Sequence, residues 1–415
     1  MESSEVLYDV IATIEVVIEQ MTKMIPEKQR EKIKREIKML KELLLDKRSP
    51  RLMIIGRRGA GKSSLINAIF GERVADTGAV LSKTGRSQYY AYQSRRGKLD
   101  ILDTRGLGDR TKPETANFQN AIDDIKASIE TDYPDAILFL CRAKDVDSNI
   151  DTDMKNVLEI HKHISSRHKF NAPVIGVITS VDELEPKRIE PPYDDKRKRE
   201  NIDIAVKAVE NALVSVGLDL IKVIPTSAYT EYNEIDKNKI AYQNHWNIDA
   251  LLTYLIDVLP NSTHLELARL AKIRSLQISV ARTIMGATAT IAAGIAFVPI
   301  PLADIIPITT AQVGMIVGIG YISGRELSQK SAIEFMTALG INVGAGMLLR
   351  EAARALVKFV FPGGGLVVSA SIAAAGTVAL GEAAISYFIE GQSIEEAKAK
   401  FSLVREKQIK DNTAS

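Results

Sequence analysis

Between Arg51 and Pro260 five short apolar runs, LMIIG, KLDILDT, DAILFLC, PVIGVIT and IKVIPTS, alternate with segments that carry turn or helix signals. Each run has the length of a strand, and the alternation with helices predicts a mostly parallel sheet covered by helices on both faces. The flanking regions read differently. In residues 1–48 apolar side chains recur at helical spacing among charges, as in Ile11, Ile14, Ile18 and then Ile33, Ile37, Leu40, Leu44, with Pro26 separating two helices. After a last α/β helix over Ile248–Leu259, ended by Pro260, the composition shifts to alanine, glycine and aliphatic residues. The expected organisation is therefore residues 1–48 as N-terminal helices, 49–260 as the α/β domain and 261–415 as an apolar helical domain.

Composition excludes several classes. Lysine plus arginine total 54 against 52 for aspartate plus glutamate, so the net charge of +2 gives no nucleic-acid footprint, and no nucleic-acid partner is expected. The single cysteine, Cys141, excludes a disulfide framework and a cysteine-based zinc site and reads as a small buried residue. The acidic start MESSEVLYDV lacks the order of a secretory signal, and the chain is read as intracellular. Glu185–Asn201, rich in proline and charge, reads as a surface loop whose KRKR run is solvated. His161, His163 and His168 fall on a charged helix and read as a solvated face.

Chemistry concentrates at the ends of the apolar runs. Gly56-Arg57-Arg58-Gly59-Ala60-Gly61-Lys62-Ser63 fits G-x-x-x-x-G-K-[ST], follows the strand LMII and opens a helix over Ser63–Phe70. Glycines at 56, 59 and 61 let backbone N–H groups from Gly59, Ala60 and Gly61 to Ser64 turn onto phosphates. The helix N-terminus adds its dipole, Lys62 reaches the β and γ oxygens, and the Ser63 hydroxyl ligates magnesium. Asp103-Thr104-Arg105-Gly106 closes KLDILD, where the Asp103 carboxylate can hold the magnesium and the Gly106 N–H can meet a γ-phosphate. Thr179-Ser180-Val181-Asp182 ends VIGVIT and Ser227-Ala228 follows IKVIPT. A carboxylate in the first motif accepts the guanine N1 and N2 protons, and a backbone N–H in the second donates to O6.

With these motifs in order, the chain from about Arg51 to Pro260 resembles the translation-factor-related class of P-loop GTPases. The resemblance implies GTP and GDP as ligands, magnesium as cofactor, and hydrolysis of the γ-phosphate by water. It also implies that Thr84, in Leu81-Ser82-Lys83-Thr84-Gly85, is the switch threonine that meets magnesium and the γ-phosphate, with Ser82 and Thr77 as alternatives. Three departures qualify it. Ser180 replaces the lysine usual in N-K-x-D or T-K-x-D. Leu107 stands where small GTPases carry the glutamine that orients water, which implies slow intrinsic turnover. Arg57 and Arg58 lie inside the phosphate loop, and Arg58 is a candidate catalytic or dimer-contacting residue, because a guanidinium spreads transition-state charge well. Gly59, where other members carry asparagine or aspartate, implies no potassium stimulation.

Beyond 260 the sequence predicts a charged amphipathic helix over 262–282. Four uncharged stretches follow: Thr283–Ala303, Ile305–Gly324, Phe335–Leu349 and Phe359–Gly381, the first two parted by a turn in VPIPLAD. Three of these have the roughly 20-residue length that crosses a bilayer, but their Ala, Gly, Ser and Thr content and internal prolines fit a compact domain that docks on or partly inserts into a membrane. Gly314-x3-Gly318, Gly320-x3-Gly324 and Gly340-x3-Gly344 allow close helix approach. The layout resembles immunity-related GTPases and bacterial GTPases that end in an uncharacterised hydrophobic helical domain. It implies N- and C-terminal helices packed into one all-α domain, a nucleotide-dependent homodimer or larger assembly, and a peripheral membrane location. An integral membrane GTPase and an RNA- or ribosome-associated GTPase are the alternatives.

Overall fold

In a computed structural model of the chain the residues described are 3–20, 27–75, 88–94, 97–103, 121–146, 150–218, 221–233, 239–271, 273–296, 305–341 and 370–413. They divide into two compact units, one of residues 49–260 with 270–272, the other of 1–48, 261–269 and 273–415.

The first unit is built on a six-stranded sheet of order β2-β3-β1-β4-β5-β6. Its strands are β1 (Arg51–Gly56), β2 (Gln88–Ser94), β3 (Gly97–Asp103), β4 (Ala136–Arg142), β5 (Val174–Thr179) and β6 (Ile221–Pro225). All neighbours run parallel except β2, which pairs antiparallel with β3 at the edge. The β5 residues are all buried, as are all but the last of β4, which is why both strands read as unbroken apolar runs. Helices α3 (Lys62–Phe70), α4 (Ala121–Ser128), α5 (Ile150–His168), α6 (Lys196–Ser215) and α7 (Ile248–Val258) connect and cover the strands. Beyond β6 a hairpin of β7 (Ser227–Tyr232) and β8 (Ile240–Trp246) forms a separate ribbon.

The parallel sheet and helices agree with the sequence reading, and two features do not. Neither β2 nor the β7–β8 ribbon was expected. Glu185–Asn201 is not all loop: the aspartate Asp195 caps α6 by accepting the Lys198 N–H at 2.8 Å, and the KRKR run is the helix's first turn. Lys198 in that run is fully buried rather than solvated.

In the second unit α1 (Ser3–Gln20) and α2 (Glu27–Leu44) pack with α9 (Arg274–Ala296), α10 (Ile305–Ile322) and α12 (Ala370–Ala384). N- and C-terminal helices thus share one all-α unit. The expected helix over 262–282 is two helices, α8 (Asn261–Ala271) and α9. Buried Gln277 of α9 donates to the carbonyls of Ala268, in the last turn of α8, and Ile322, so a side chain satisfies oxygens that a helix end leaves open. Phe335–Leu349 is not one helix either, because α11 (Gln329–Ala338) stops before Gly340, which has φ +87°. After α12 a π-helical turn over Ile385–Ile389 leads to α13 (Ile394–Thr413). Of the two glycine pairs that lie wholly among the described residues, only the first brings helices together. A Cβ on Gly314 would lie 2.6 Å from Val10 Cγ1, and one on Gly318 3.0 Å from Leu44 Cδ2, whereas Gly324 and Gly340 have positive φ and end helices. Pro26, the VPIPLAD turn and residues 342–369 lie outside the described residues.

Candidate nucleotide site

The parallel strands carry the sequence-predicted residues to the sheet's C-terminal edge, where open α/β sheets bind ligands. Register places Asp103 opposite Ile54, Gly56 opposite Leu140, and Thr179 opposite Arg142. The loop from Gly56 turns into α3 through Gly59 at φ +80° and Gly61 at φ +83°, values that side-chain-bearing residues rarely adopt. Gly56 also passes so close to β4 that a Cβ there would meet the Leu140 carbonyl oxygen at 2.7 Å. Lys62 opens the helix one residue earlier than the sequence suggested, and its Nζ donates to the carbonyls of Gly56 at 2.8 Å and Arg57 at 3.4 Å. Ser63 and Ser64 follow in the first turn, half-buried. With the Ala60 N–H given to the Arg57 carbonyl at 3.0 Å, the loop closes beside the Lys62 ammonium at a helix N-terminus, an arrangement suited to phosphate oxygens.

The two arginines of the loop part company. Arg57 Nε donates to Asp153 Oδ2 of α5 at 2.8 Å, and burial pushes the Asp153 carboxyl above the usual range against the pull of that guanidinium. Arg58 is exposed at the loop's outer surface.

Thr179 fastens the loop. Buried at the end of β5, it donates its hydroxyl to the Ala60 carbonyl at 2.9 Å. Ser180 then adopts φ +55°, and a turn over Val181–Glu183 presents Asp182. The Ser227 hydroxyl lies 2.9 Å from Asp182 Oδ1 and 2.7 Å from the Asn244 carbonyl, and Ala228 is buried next to it at the start of β7. The structure therefore brings Asp182, Ser227 and Ala228 together. Glu183 is held by Arg142 and Lys144. Burial alone would raise its carboxyl, but those two donors outweigh it and leave the group below the usual range.

Three residues of the site were not singled out from sequence. Lys198 sends its Nζ to the carbonyls of Asp182 at 2.9 Å and Leu184 at 2.6 Å, 5.0 Å from the Tyr193 ring centre. Burial lowers its ammonium pKa while the Asp182 charge draws it back up. Tyr193, fully buried, donates to Asn244 Oδ1 at 2.9 Å, and burial pushes its hydroxyl up to about 12. Asn67 of α3 gives its amide N–H to the Ala75 carbonyl and accepts the Val74 and Ala75 N–H groups, which fixes the chain that leads to Thr84. Thr84, with Thr77 and Ser82, lies outside the described residues, as do Arg105, Gly106 and Leu107. For Asp103 only the backbone, at the end of β3, is described.

The histidines are less solvated than expected. His163 Nε2 lies 3.2 Å from a Glu130 oxygen, His168 lies 2.7 Å from the Ile129 carbonyl and stacks on Tyr133, and burial lowers the His161 pKa. Cys141 is buried, and burial pushes its thiol up to about 12.

Residues 51–179 match the family described as 50S ribosome-binding GTPase, and residues 261–414 match a domain of unknown function (DUF697). The GTPase Der of Streptococcus suis is 29% identical over 136 residues, 33% of this chain and 28% of the relative. The GTPase Der of Geobacillus sp. is 26% identical over 137 residues, again 33% and 28%. The chain thus spans little more than a quarter of the length of the curated relatives it matches. Among solved structures, Toc33 of Arabidopsis thaliana has a TM-score of 0.35 at 19% identity, covering 57% of this chain and 93% of that one. Era in complex with MgGDPNP and a segment of 16S ribosomal RNA has a TM-score of 0.31 at 17% identity, covering 61% and 68%. Residues 51–179 thus match a GTPase family by sequence, on a mostly parallel sheet with flanking helices of the kind P-loop GTPases have.

Proposed function

We propose that this chain binds GTP and GDP, hydrolyses GTP to GDP and phosphate, and uses its nucleotide state to control self-association and attachment to a membrane. The hydrogen bond from Thr179 to Ala60 carries the first part, since it joins the phosphate cradle and the base-reading turn into one frame with Lys62 at one end and Asp182 at the other. In this reading the N–H groups of residues 59–64 and the Lys62 ammonium hold the phosphates. Asp182 accepts the guanine N1 and N2 protons, Ala228 donates to O6, and Ser227 orients the carboxylate. Magnesium, when bound, neutralises charge on the β and γ oxygens. The donor set fits it, because Ser63 lies in the first turn of the helix that leaves the cradle and Asp103 ends the strand beside β1. Thr84 and Gly106 complete the γ-phosphate contacts.

With Leu107 in place of a glutamine, one copy turns over slowly, and exposed Arg58 of a second copy supplies charge stabilisation. The expected results are loss of nucleotide binding in Lys62→Ala and phosphate release per molecule that rises with protein concentration. Concentration-independent turnover sinks the assembly part alone.

The membrane part draws on the helical unit. Arg274–Ala296 and Ala370–Ile389 are long and apolar enough to cross a bilayer, and 61% and 67% of their most apolar windows are buried in the fold. That degree of burial favours a docking unit over spanning helices. GTP-dependent liposome binding, lost in Lys62→Ala, is expected, and recovery from cells only with detergent would favour an integral protein. The match to a 50S ribosome-binding GTPase family supports a second reading, a ribosome-associated GTPase. Salt-sensitive co-sedimentation with ribosomal subunits would select it.

A further inference from the structure

The KRKR run raises a question of placement. Four consecutive cations occupy the first turn of α6, the helix end where the macrodipole disfavours positive charge. Three have surface partners or solvent: Lys196 lies near Glu200, Arg199 bonds Asp194 and the Tyr193 carbonyl, and Arg197 is exposed. Lys198 turns inward and is fully buried.

Its direct partners are uncharged, although the Asp182 and Glu185 charges favour the ammonium from farther off. The ammonium meets two neutral carbonyls, Asp182 at 2.9 Å and Leu184 at 2.6 Å, and one face of Tyr193. A methionine of similar length would fill the space without the desolvation cost, so packing does not account for the cation. What the two carbonyls share is the turn that aims Asp182. Ser180, where the commoner motif has lysine, stands at φ +55° one residue before that turn and carries no charge of its own.

We infer that Lys198 is a specificity-determining positioning residue: by gripping the Asp182 and Leu184 carbonyls from α6 it fixes the turn so that the Asp182 carboxylate meets both guanine N–H donors. The inference rests on the guanine-reading role proposed above for Asp182. Its logic is geometric. A carboxylate accepts the N1 and N2 protons together only when its plane is aligned with the base edge, and the turn's backbone sets that plane. Ser227 fixes one carboxylate oxygen from the front, and Lys198 fixes the peptide behind it. A positively charged side chain is thus returned to the motif from another element and against another part of the loop.

The test compares GDP with IDP, which lacks the 2-amino group, by fluorescent-nucleotide displacement on the full chain. In the wild type GDP is expected to bind about 10- to 100-fold more tightly, the effect of one hydrogen bond to a charged group. In Lys198→Met the ratio is expected to fall to about 3-fold or less, with IDP affinity changed far less than GDP affinity; Lys198→Arg, which retains donors, should hold an intermediate or wild-type ratio. A ratio unchanged in Lys198→Met overturns the inference, even if both affinities drop together, because a general structural role moves both. If Lys198→Met does not fold, Lys198→Gln, an uncharged single donor, is read by the same ratio. The reading of Asp182 is checked separately. Asp182→Asn should shift preference toward XDP, whose C2 carbonyl accepts from an amide. A wild type without GDP preference and an Asp182→Asn variant without that shift would remove the Asp182 role, and with it this inference. A normal wild type and Asp182→Asn with an unmoved Lys198→Met ratio would remove this inference alone.

Discussion

Thr179 shows what a single hydroxyl contributes to the site. Thr179→Val keeps its shape but leaves the Ala60 carbonyl without its 2.9 Å donor, and stability is expected to drop by about 1–2 kcal/mol, read as a lower urea midpoint with a parallel loss of GDP affinity. Asn67→Ala strands two N–H groups and one carbonyl at residues 74 and 75 and should cost more, about 2–4 kcal/mol. At Cys141 burial holds the thiol at about 12, so iodoacetamide at pH 8 is expected to label the folded chain at least ~100-fold more slowly than the chain in urea. Comparable rates would place the thiol at the surface. The residue most legible from sequence was Lys62, whose chemistry is local: its place directly after Gly61 sets its ammonium against the carbonyls of Gly56 and Arg57. Lys198 was misread as solvated, and the Thr179 hydroxyl bond was not foreseen, because their partners lie 14 to 16 and 119 positions away, and only the fold closes those gaps.

The elements divide in the same way. Strands β1, β4 and β5 declare themselves by apolar runs broken only at their ends, by Arg51, Arg142 and Thr179, a direct consequence of burial on two faces. Strand β2, QYYAYQS, lies at a sheet edge, and the β7–β8 ribbon pairs only with itself, so neither needs a continuous apolar run. The break between α8 and α9 has no glycine or proline to announce it, because the freed carbonyl at Ala268 is met by Gln277 from the next helix. The close approach of α1 to α10 depends on Gly314. Gly314→Val would thrust new carbons into Val10 and is expected to cost about 1–3 kcal/mol, read from helical circular dichroism in a urea titration. Gly59→Val, where nothing lies within 4 Å, should instead act through φ +80° and impair nucleotide binding more than helix packing.

Across the whole molecule, alkaline pH is the expected weakness. Cys141 moves from an ordinary 9.0 to about 12, and Tyr193 and Tyr321 from 10.0 to about 12, with burial the leading cause in each. In every case the folded value exceeds the unfolded one, so the unfolded chain releases protons first as pH rises. Stability is then fully present below about 9 and falls progressively toward 12. Urea midpoints at pH 8, 9.5 and 11 should decline in that order, and a flat series would show these groups to be solvated. The two-unit layout also bears on how the chain is made. Helices α1 and α2 belong with partners that begin only after residue 260, and the entire sheet is synthesised in between. At roughly 5–20 residues per second a ribosome takes tens of seconds over that interval. For that time Ile11, Ile14, Ile33, Ile37 and Leu40, all buried in the finished fold, lack the cover that α9 and α10 later supply. The nascent chain therefore carries two exposed apolar stripes, of the kind holdase chaperones cover, through the whole synthesis of the sheet.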